Sequence, residues 1–567
     1  MLMKHTIDII PHLSSFIYII KQMHNKKNKI YSFMQMLKKS RTGKAALFFL
    51  ALLFMPLNSF AYDGTDSFTR LNIDFDASLS DNMLSGAGQE RSFLTEGWKY
   101  MGTMNANLSG QQEEFKYQLR LGLRSTNDKR TDPIPFSLTN AQGTFEYRQH
   151  KLLLGDVFEV FSRYSLSSSM KGANYRFEGG SLPSLSLIAG RAMPRWESWW
   201  KDPDALSVNR EAYGASIKHE IMEDLNASIS YVQSADYDAP MPGTMLYDNQ
   251  VAALTLDYKP IPGLTLAGEA ALSSTNLTNG MSASEAGQAF RIEAIGDQDP
   301  SRVALEYERV SPNFESLLGS AIKDRESSAA SWRYKASQDI TVNSSFRWNR
   351  NSLHDSARST NAYRPQIGVT IRRIASRRYS ALDLKAKLDY KDAPAFSRTD
   401  WFTSANYRDR FGIYDIDTGL GLSSYNASKS DSNQLDSTAR LAISTRKSFG
   451  SVIIRPNISA SANYADDDEA AVTRKVYEYS AGSVIDFPEQ RISANFRIGQ
   501  NFMRAPDADA EAMYLTAQLN YRPEALKGGN FYMKFTLNDY EYQATANNYA
   551  EKVFTIGLNL PFQHEWR

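Results

Sequence analysis

Few side chains here are placed to do covalent chemistry. Among 567 residues there is no cysteine, which removes disulfides, thiol nucleophiles, covalent haem attachment and cysteine-based zinc sites. Only four histidines follow residue 61, namely His150, His219, His354 and His564. None stands beside a serine or aspartate in a catalytic spacing, so they read as solvated side chains. The acidic run Asp466, Asp467, Asp468, Glu469 offers carboxylate oxygens to Ca²⁺, but it lacks the glycine and interleaved ligands of a dedicated loop. It reads as a solvated loop. No catalytic residue, metal site or cofactor is expected.

Two other groups of residues point to binding or passage. Arg195, Trp196, Trp199, Trp200 and Lys201 bring three of the eight tryptophans into one polar loop, where aromatics gain nothing by staying in water. Three roles fit: a constriction folded inward, a docking place for a sugar or protein, or an interfacial aromatic girdle. The second group is scattered: Lys116, Arg120, Arg124, Asp257, Glu269, Asp383, Lys385 and Arg497. Each alternates with apolar neighbours, and both charge signs occur. Lining a lumen, they would suit a water-filled pore of weak charge preference.

What must position them is a strand, because the alternation has period two. Phe115, Tyr117, Leu119, Leu121 and Leu123 interleave with Lys116, Gln118, Arg120, Gly122 and Arg124. Leu382, Leu384, Ala386, Leu388 and Tyr390 interleave with Ala381, Asp383, Lys385, Lys387 and Asp389. From Phe68 onward this rhythm repeats, and no helical period persists. A soluble barrel turns its apolar face inward and needs a dry interior, whereas this polar face is charged over too many strands for one core. The apolar rows span about ten residues, the length of a tilted strand crossing hydrocarbon. Tyr258, Tyr307, Trp348 and Tyr390 close several rows, as interfacial aromatics do.

Twelve short turns are legible at 110–114, 148–151, 179–184, 222–225, 260–263, 297–301, 337–340, 374–378, 408–412, 448–451, 487–491 and 522–529. Longer loops separate most of them, such as 82–97, 193–210, 235–250 and 311–324. The expectation is an all-β fold, one large antiparallel transmembrane β-barrel of about 26 strands (range about 22 to 28) over residues 62–567. The first strand begins too early for a plug domain to precede it. The wide lumen would then be filled by charged side chains, infolded loops, a partner or water.

Residues 1–61 read as an upstream extension plus a cleavable signal peptide over about 34–61. Lys38, Lys39, Arg41 and Lys44 precede the apolar run 45–57, and Ser59-Phe60-Ala61 forms a small-x-small cleavage site. That run is too short to span a membrane as a helix. A net charge of +1 with no basic stripe gives no case for nucleic acid.

The closing stretch carries a resemblance. Phe554, Ile556, Leu558, Leu560 and Phe562 share one face, and Thr555-x-Gly557-x-x-Leu560-x-Phe562 resembles the insertion signal that the barrel-assembly machinery reads in Gram-negative outer-membrane β-barrels. That family implies an outer-membrane location, both termini periplasmic, contact with lipid and lipopolysaccharide, and closure of the last strand on the strand near Phe68. Pro561 should weaken that seam at its end. Leu152-Leu153-Leu154-Gly155-Asp156 with Lys171-Gly172-Ala173 is faintly similar to a stretch of fimbrial ushers, whose plug and periplasmic domains have no room here. Porin sheaths of electron conduits are of similar size. The leading expectation is a porin-like channel, not an enzyme, passing polar solutes or an exported polymer. The alternative is a scaffold around a periplasmic or lumenal partner, such as a multihaem cytochrome or an exopolysaccharide secretion complex. An enzyme barrel ranks third.

Overall fold

A computed structural model describes residues 67–566, except 194, 200–207, 239–243, 279–282, 429–431, 468–471, 506–508 and 527. The alternating segments form one continuous antiparallel sheet that closes into a barrel of 26 strands. Ser432–Thr445 and Lys447–Phe449 count as one of these, since both pair with Val452–Asp467. All twelve short turns connect consecutive strands at one end of the barrel, where Phe68 and Trp566 also lie. The longer loops gather at the other end.

Closure is made by Phe68–Ser85 against Tyr549–Trp566, in register from Thr69 opposite Trp566 to Ser85 opposite Ala550. The register runs on through Pro561, opposite Asp74, to Trp566. Past Asn559 the closing strand has lost its other neighbour, Asn530–Tyr542. Proline therefore stands where only one side of the chain is paired, as edge positions allow. The tail beyond Phe562 continues the ladder, and Arg70 clamps Glu565 at 2.6 Å.

Outward faces carry the aliphatic rows, with Leu254, Leu272, Ile292, Leu305, Ile367, Leu420, Ile498 and Ile556 all exposed. A belt of bare aliphatics around a closed sheet suits hydrocarbon, where closure pairs most of the strand edges. Among the described residues no helix is long and apolar enough to cross a membrane.

One hairpin leaves the wall. His150–Ser162 pairs with Phe136–Tyr147 only as far as Gly155 opposite Gln142. Leu166–Phe177 pairs with Ser184–Ala192 only as far as Lys171 opposite Arg191. Beyond these points the two strands pair only with each other. The bend is set at Gly155, whose φ of 93° and close approach to the Ala141 carbonyl leave no place for a side chain. The freed half folds over the inner wall. Val157, Leu166 and Met170 pack on the inward-facing Ile188, Ala212 and Val232.

Candidate functional site: the lumen and its inward hairpin

The hairpin tip docks deep inside the barrel. Tyr164 is 0% exposed among Val251, Ala253, Ala271, Ala289, Val310 and Phe314, and its ring meets Phe314 edge-on at 5.7 Å. Its backbone amide donates to Glu269 at 3.0 Å and its hydroxyl to Glu308 at 3.1 Å. Burial, reinforced by Glu308, pushes the Tyr164 phenol far above its ordinary range, so it stays a donor. Arg163 pairs with Glu308 at 3.1 Å, while Arg291 joins Glu293 and Glu306 at 2.8 and 3.0 Å. Ser165 exchanges a hydroxyl hydrogen bond of 2.8 Å with Ser230.

Loop 311–324 turns inward to cover the tip. The Ser167 amide donates to the Leu318 carbonyl at 2.8 Å, and the Ser320 amide to the Arg163 carbonyl at 2.9 Å. Below it, Asn249 donates to the Glu315 carbonyl at 2.8 Å and the Glu315 amide donates to Ser273 at 3.1 Å. Together, hairpin and loop line the inner wall from about Ser184–Ala192 to Ser301–Val310. Because the hairpin is turned over, its formerly outward face looks into the lumen. Phe158 and Val160 are 59% and 50% exposed there.

Folding the hairpin inward leaves an opening beside Phe136–Tyr147, and the tryptophan loop closes it. Trp196 and Trp199 bound a single 3-10 turn. Trp196 is 8% exposed among Leu108, Leu121, Leu138 and Ala141. Its indole donates to Asp156 at 2.8 Å and Lys171 lies over its ring at 5.4 Å. Two strand amides with no neighbouring strand find carboxylates instead: Leu138 donates to Glu197 at 2.9 Å and Ala141 to Asp156 at 2.6 Å. Arg195 bonds Asp132 at 2.9 Å. Burial pushes the Asp132 carboxyl up, but the Ile134 amide, Arg195 and Ser137 more than offset it and hold it below the ordinary value. Trp196 therefore fills the wall. Trp200 and Lys201 lie outside the described residues.

The expected lumen residues fall on registers opposite the aliphatic rows and are not brought together. Lys116, Arg120, Asp257 and Lys385 are exposed. Arg124 lies 3.6 Å from Asp132, and Asp383 accepts from Thr370 at 2.7 Å and Arg408 at 3.2 Å. Arg497 sits over the Tyr514 ring at 5.4 Å and 3.9 Å from Glu478. Only Glu269 joins the hairpin dock. The residues that sequence reasoning missed are Arg163, Tyr164, Arg291, Glu306, Glu308 and Phe314. In the closing motif Thr555 bonds Ser80 at 2.9 Å, and Gly557 lies under the Tyr532 ring. Leu560 and Phe562 stand opposite Phe75 and Ile73. His150 meets the Tyr175 hydroxyl at 2.7 Å, and His354 pairs with Asp324. Among the described residues no group of carboxylates and histidines could hold a metal ion. Of the acidic run, Asp466 accepts from Thr473 at 2.8 Å; Asp468 and Glu469 lie outside the described residues.

No protein-family model matches the chain, and comparison with curated proteins finds no match. Among solved structures the chain is similar to the P pilus usher (PapC) translocation pore. Identity is 10% over 87% of this chain and 99% of that one, with a TM-score of 0.42. It is also similar to the outer membrane transporter YddB from Escherichia coli (7% identity, 87% and 81% covered, TM-score 0.42). A third similarity is to an E. coli P pilus tip assembly intermediate, PapC-PapD-PapK-PapG (11% identity, 86% and 60% covered, TM-score 0.48). By its own strands, closure and outward rows, the chain has the fold of an outer-membrane β-barrel with a pore-like interior.

Proposed function

We propose that the protein is an outer-membrane pore for polar solutes or an exported polymer, exported through the signal peptide over about 34–61. On this reading residues 62–567 form the barrel and its short-turn end is periplasmic. The barrel-assembly machinery inserts it through Thr555, Gly557, Leu560 and Phe562. One observation carries the reading. The hairpin and loop 311–324 cover only one side of the inner wall, while Arg347, Lys385, Lys387, Phe402 and Arg408 on the strands beyond it remain exposed. A circular barrel of 26 strands measures on the order of 50 Å across, and a single layer on one side leaves an aqueous passage.

A second reading has its own observation. Phe158 and Val160 put apolar surface into the lumen, which a partner held inside the barrel would cover. Reconstitution in a planar bilayer separates the two. Large, stable open currents from the chain alone support the pore. A barrel that is closed or unstable until a partner is added supports the scaffold and sinks the open-pore reading.

A further inference from the structure

Charges on the two sides of the lumen are balanced differently. On the hairpin side, Glu269, Glu306 and Glu308 are engaged by Tyr164, Arg163 and Arg291. Next to it along the wall stand Arg325–Lys335, Ile340–Asn351, Thr360–Arg372, Ala381–Ala393 and Phe396–Phe411. Every inward carboxylate of these strands is held by an arginine: Asp383 by Arg408 at 3.2 Å, Asp389 by Arg364 at 2.8 Å and Asp400 by Arg398 at 2.8 Å. Lys335 and Arg410 reach Asp299 and Asp415 beyond these strands, and the other inward cations have no such partner. Among the described residues no carboxylate lies within ion-pair distance of Arg325, Arg347, Lys385 or Lys387. Arg325 bonds only the Asn349 side chain through one Nη, and its Nε is buried without an acceptor.

Register places these groups on one panel. Arg347 stands opposite Arg364, Gln366 opposite Lys387 and Gly368 opposite Lys385. With strands ~4.8 Å apart and same-face residues ~7 Å apart, successive cations of the panel lie roughly 7 to 14 Å from one another. A ring of charge at a narrow point would filter single ions. A panel spread over several strands of a wide lumen instead offers weak contacts at intervals, which suits an extended ligand that engages several at once.

We propose that this panel binds an acidic polysaccharide, an extended polyanion whose carboxylates or sulfates recur on the scale of one or two sugar rings. The inference rests on the pore reading, since it makes the panel a track along which such a chain moves through the lumen. Lys385, Lys387 and Arg347 are exposed, so their long side chains follow a moving ligand without a fixed pose. Arg325, half-buried and anchored by Asn349, is the fixed point.

The test uses the full chain in detergent, with fluorescent dextran sulfate as the polyanion and neutral dextran of equal length as control. Heat-modifiable gel mobility verifies that each variant is assembled. Binding of dextran sulfate is expected to exceed that of neutral dextran and to fall as salt rises through roughly 0.1 M. R347Q/K385Q/K387Q should weaken it by about ten-fold or more. Equal binding of both dextrans, or a triple variant that binds like the wild type, overturns the proposal. So does competition by monomeric glucuronate at the same charge concentration, which would make the panel a site for single anions. Bilayer currents, recorded alongside, report on the pore itself. Currents without polyanion binding remove the panel and leave the pore, whereas binding without currents removes the pore and leaves only a polyanion-binding barrel.

Discussion

Replacing Tyr164 by alanine should release the hairpin and widen the pore. The side chain is 0% exposed and packs on six apolar neighbours, so truncation removes about 3 to 5 kcal/mol of docking energy by analogy with other buried aromatics. The Glu308 hydrogen bond at 3.1 Å is lost as well, leaving a carboxylate that was satisfied by both the phenol and Arg163. At ~1.4 kcal/mol for each factor of ten, the docked-to-undocked ratio falls by about a hundred-fold to a few thousand-fold. The size of the readout follows from geometry. A layer about 10 Å thick over seven strands fills on the order of a fifth of a circular lumen, and the hairpin is about half of that layer.

Single-channel conductance of Y164A should therefore rise on the order of a tenth, with flicker between two levels as the hairpin docks and leaves. Tyr164→Phe keeps the packing and loses only the hydroxyl, at about 1 to 2 kcal/mol, so it should flicker less. A steady conductance equal to the wild type in a correctly assembled Y164A barrel would refute the reasoning. It would mean that the hairpin is held by Val157, Leu166 and Met170 alone, or does not limit the passage.

Three further outcomes are expected. Gly557→Ala drives a Cβ into the Tyr532 ring, so assembled barrel should drop by several-fold and melt earlier, while Tyr532→Ala in the same chain restores it; loss without rescue would place the fault elsewhere in the seam. The lowered Asp132 carboxyl contributes stability above its unfolded value of about 3.9 and loses it as pH falls through the lower folded value. Limited pepsin digestion should accordingly begin near Arg195 only at strongly acid pH, and in D132N, which has no such titration, at any pH where pepsin acts. Trp196→Ala removes about 3 to 5 kcal/mol of packing and loosens the carboxylate that caps Ala141. Hydrogen exchange at the Leu138 and Ala141 amides should then quicken by a hundred-fold or more, and unchanged exchange would show that the opening is closed without the indole.

Much of the barrel is legible in the chain because its cause is local. Alternation fixes which side chains face out, and Gly, Pro and Asp mark the turns, so twelve short turns and about 26 strands follow without tertiary information. The hairpin is not legible, for a specific reason. Leu152 and Leu154 are followed at the same spacing by Phe158 and Val160, so the outward row runs on as though the strand stayed in the wall. Only Asp156 breaks that row, next to the glycine that makes the bend. The sequence likewise cannot show that Glu269, Glu306 and Glu308 converge on Tyr164, since their separations in the chain exceed 100 residues. The place of Trp196 is not legible for the same reason. Its burial depends on an opening that exists only once the hairpin has left.

These features are one arrangement and not three. A strand edge at membrane depth is tolerated only if its amides find other acceptors, so turning the hairpin inward without Glu197 and Asp156 would leave Leu138 and Ala141 unpaired. Asp156 itself is held by Lys171, its cross-strand partner in the hairpin, at 3.1 Å and by the Trp196 indole at 2.8 Å. Acidic side chains thus serve both ends of the hairpin: Asp156 and Glu197 where it leaves the wall, Glu269 and Glu308 where its tip lands. Carboxylates committed in this way cannot neutralise cations elsewhere in the lumen. The unpaired charge of Arg347, Lys385 and Lys387 then sits on the wall that the hairpin leaves open, a few strands from where the hairpin layer ends.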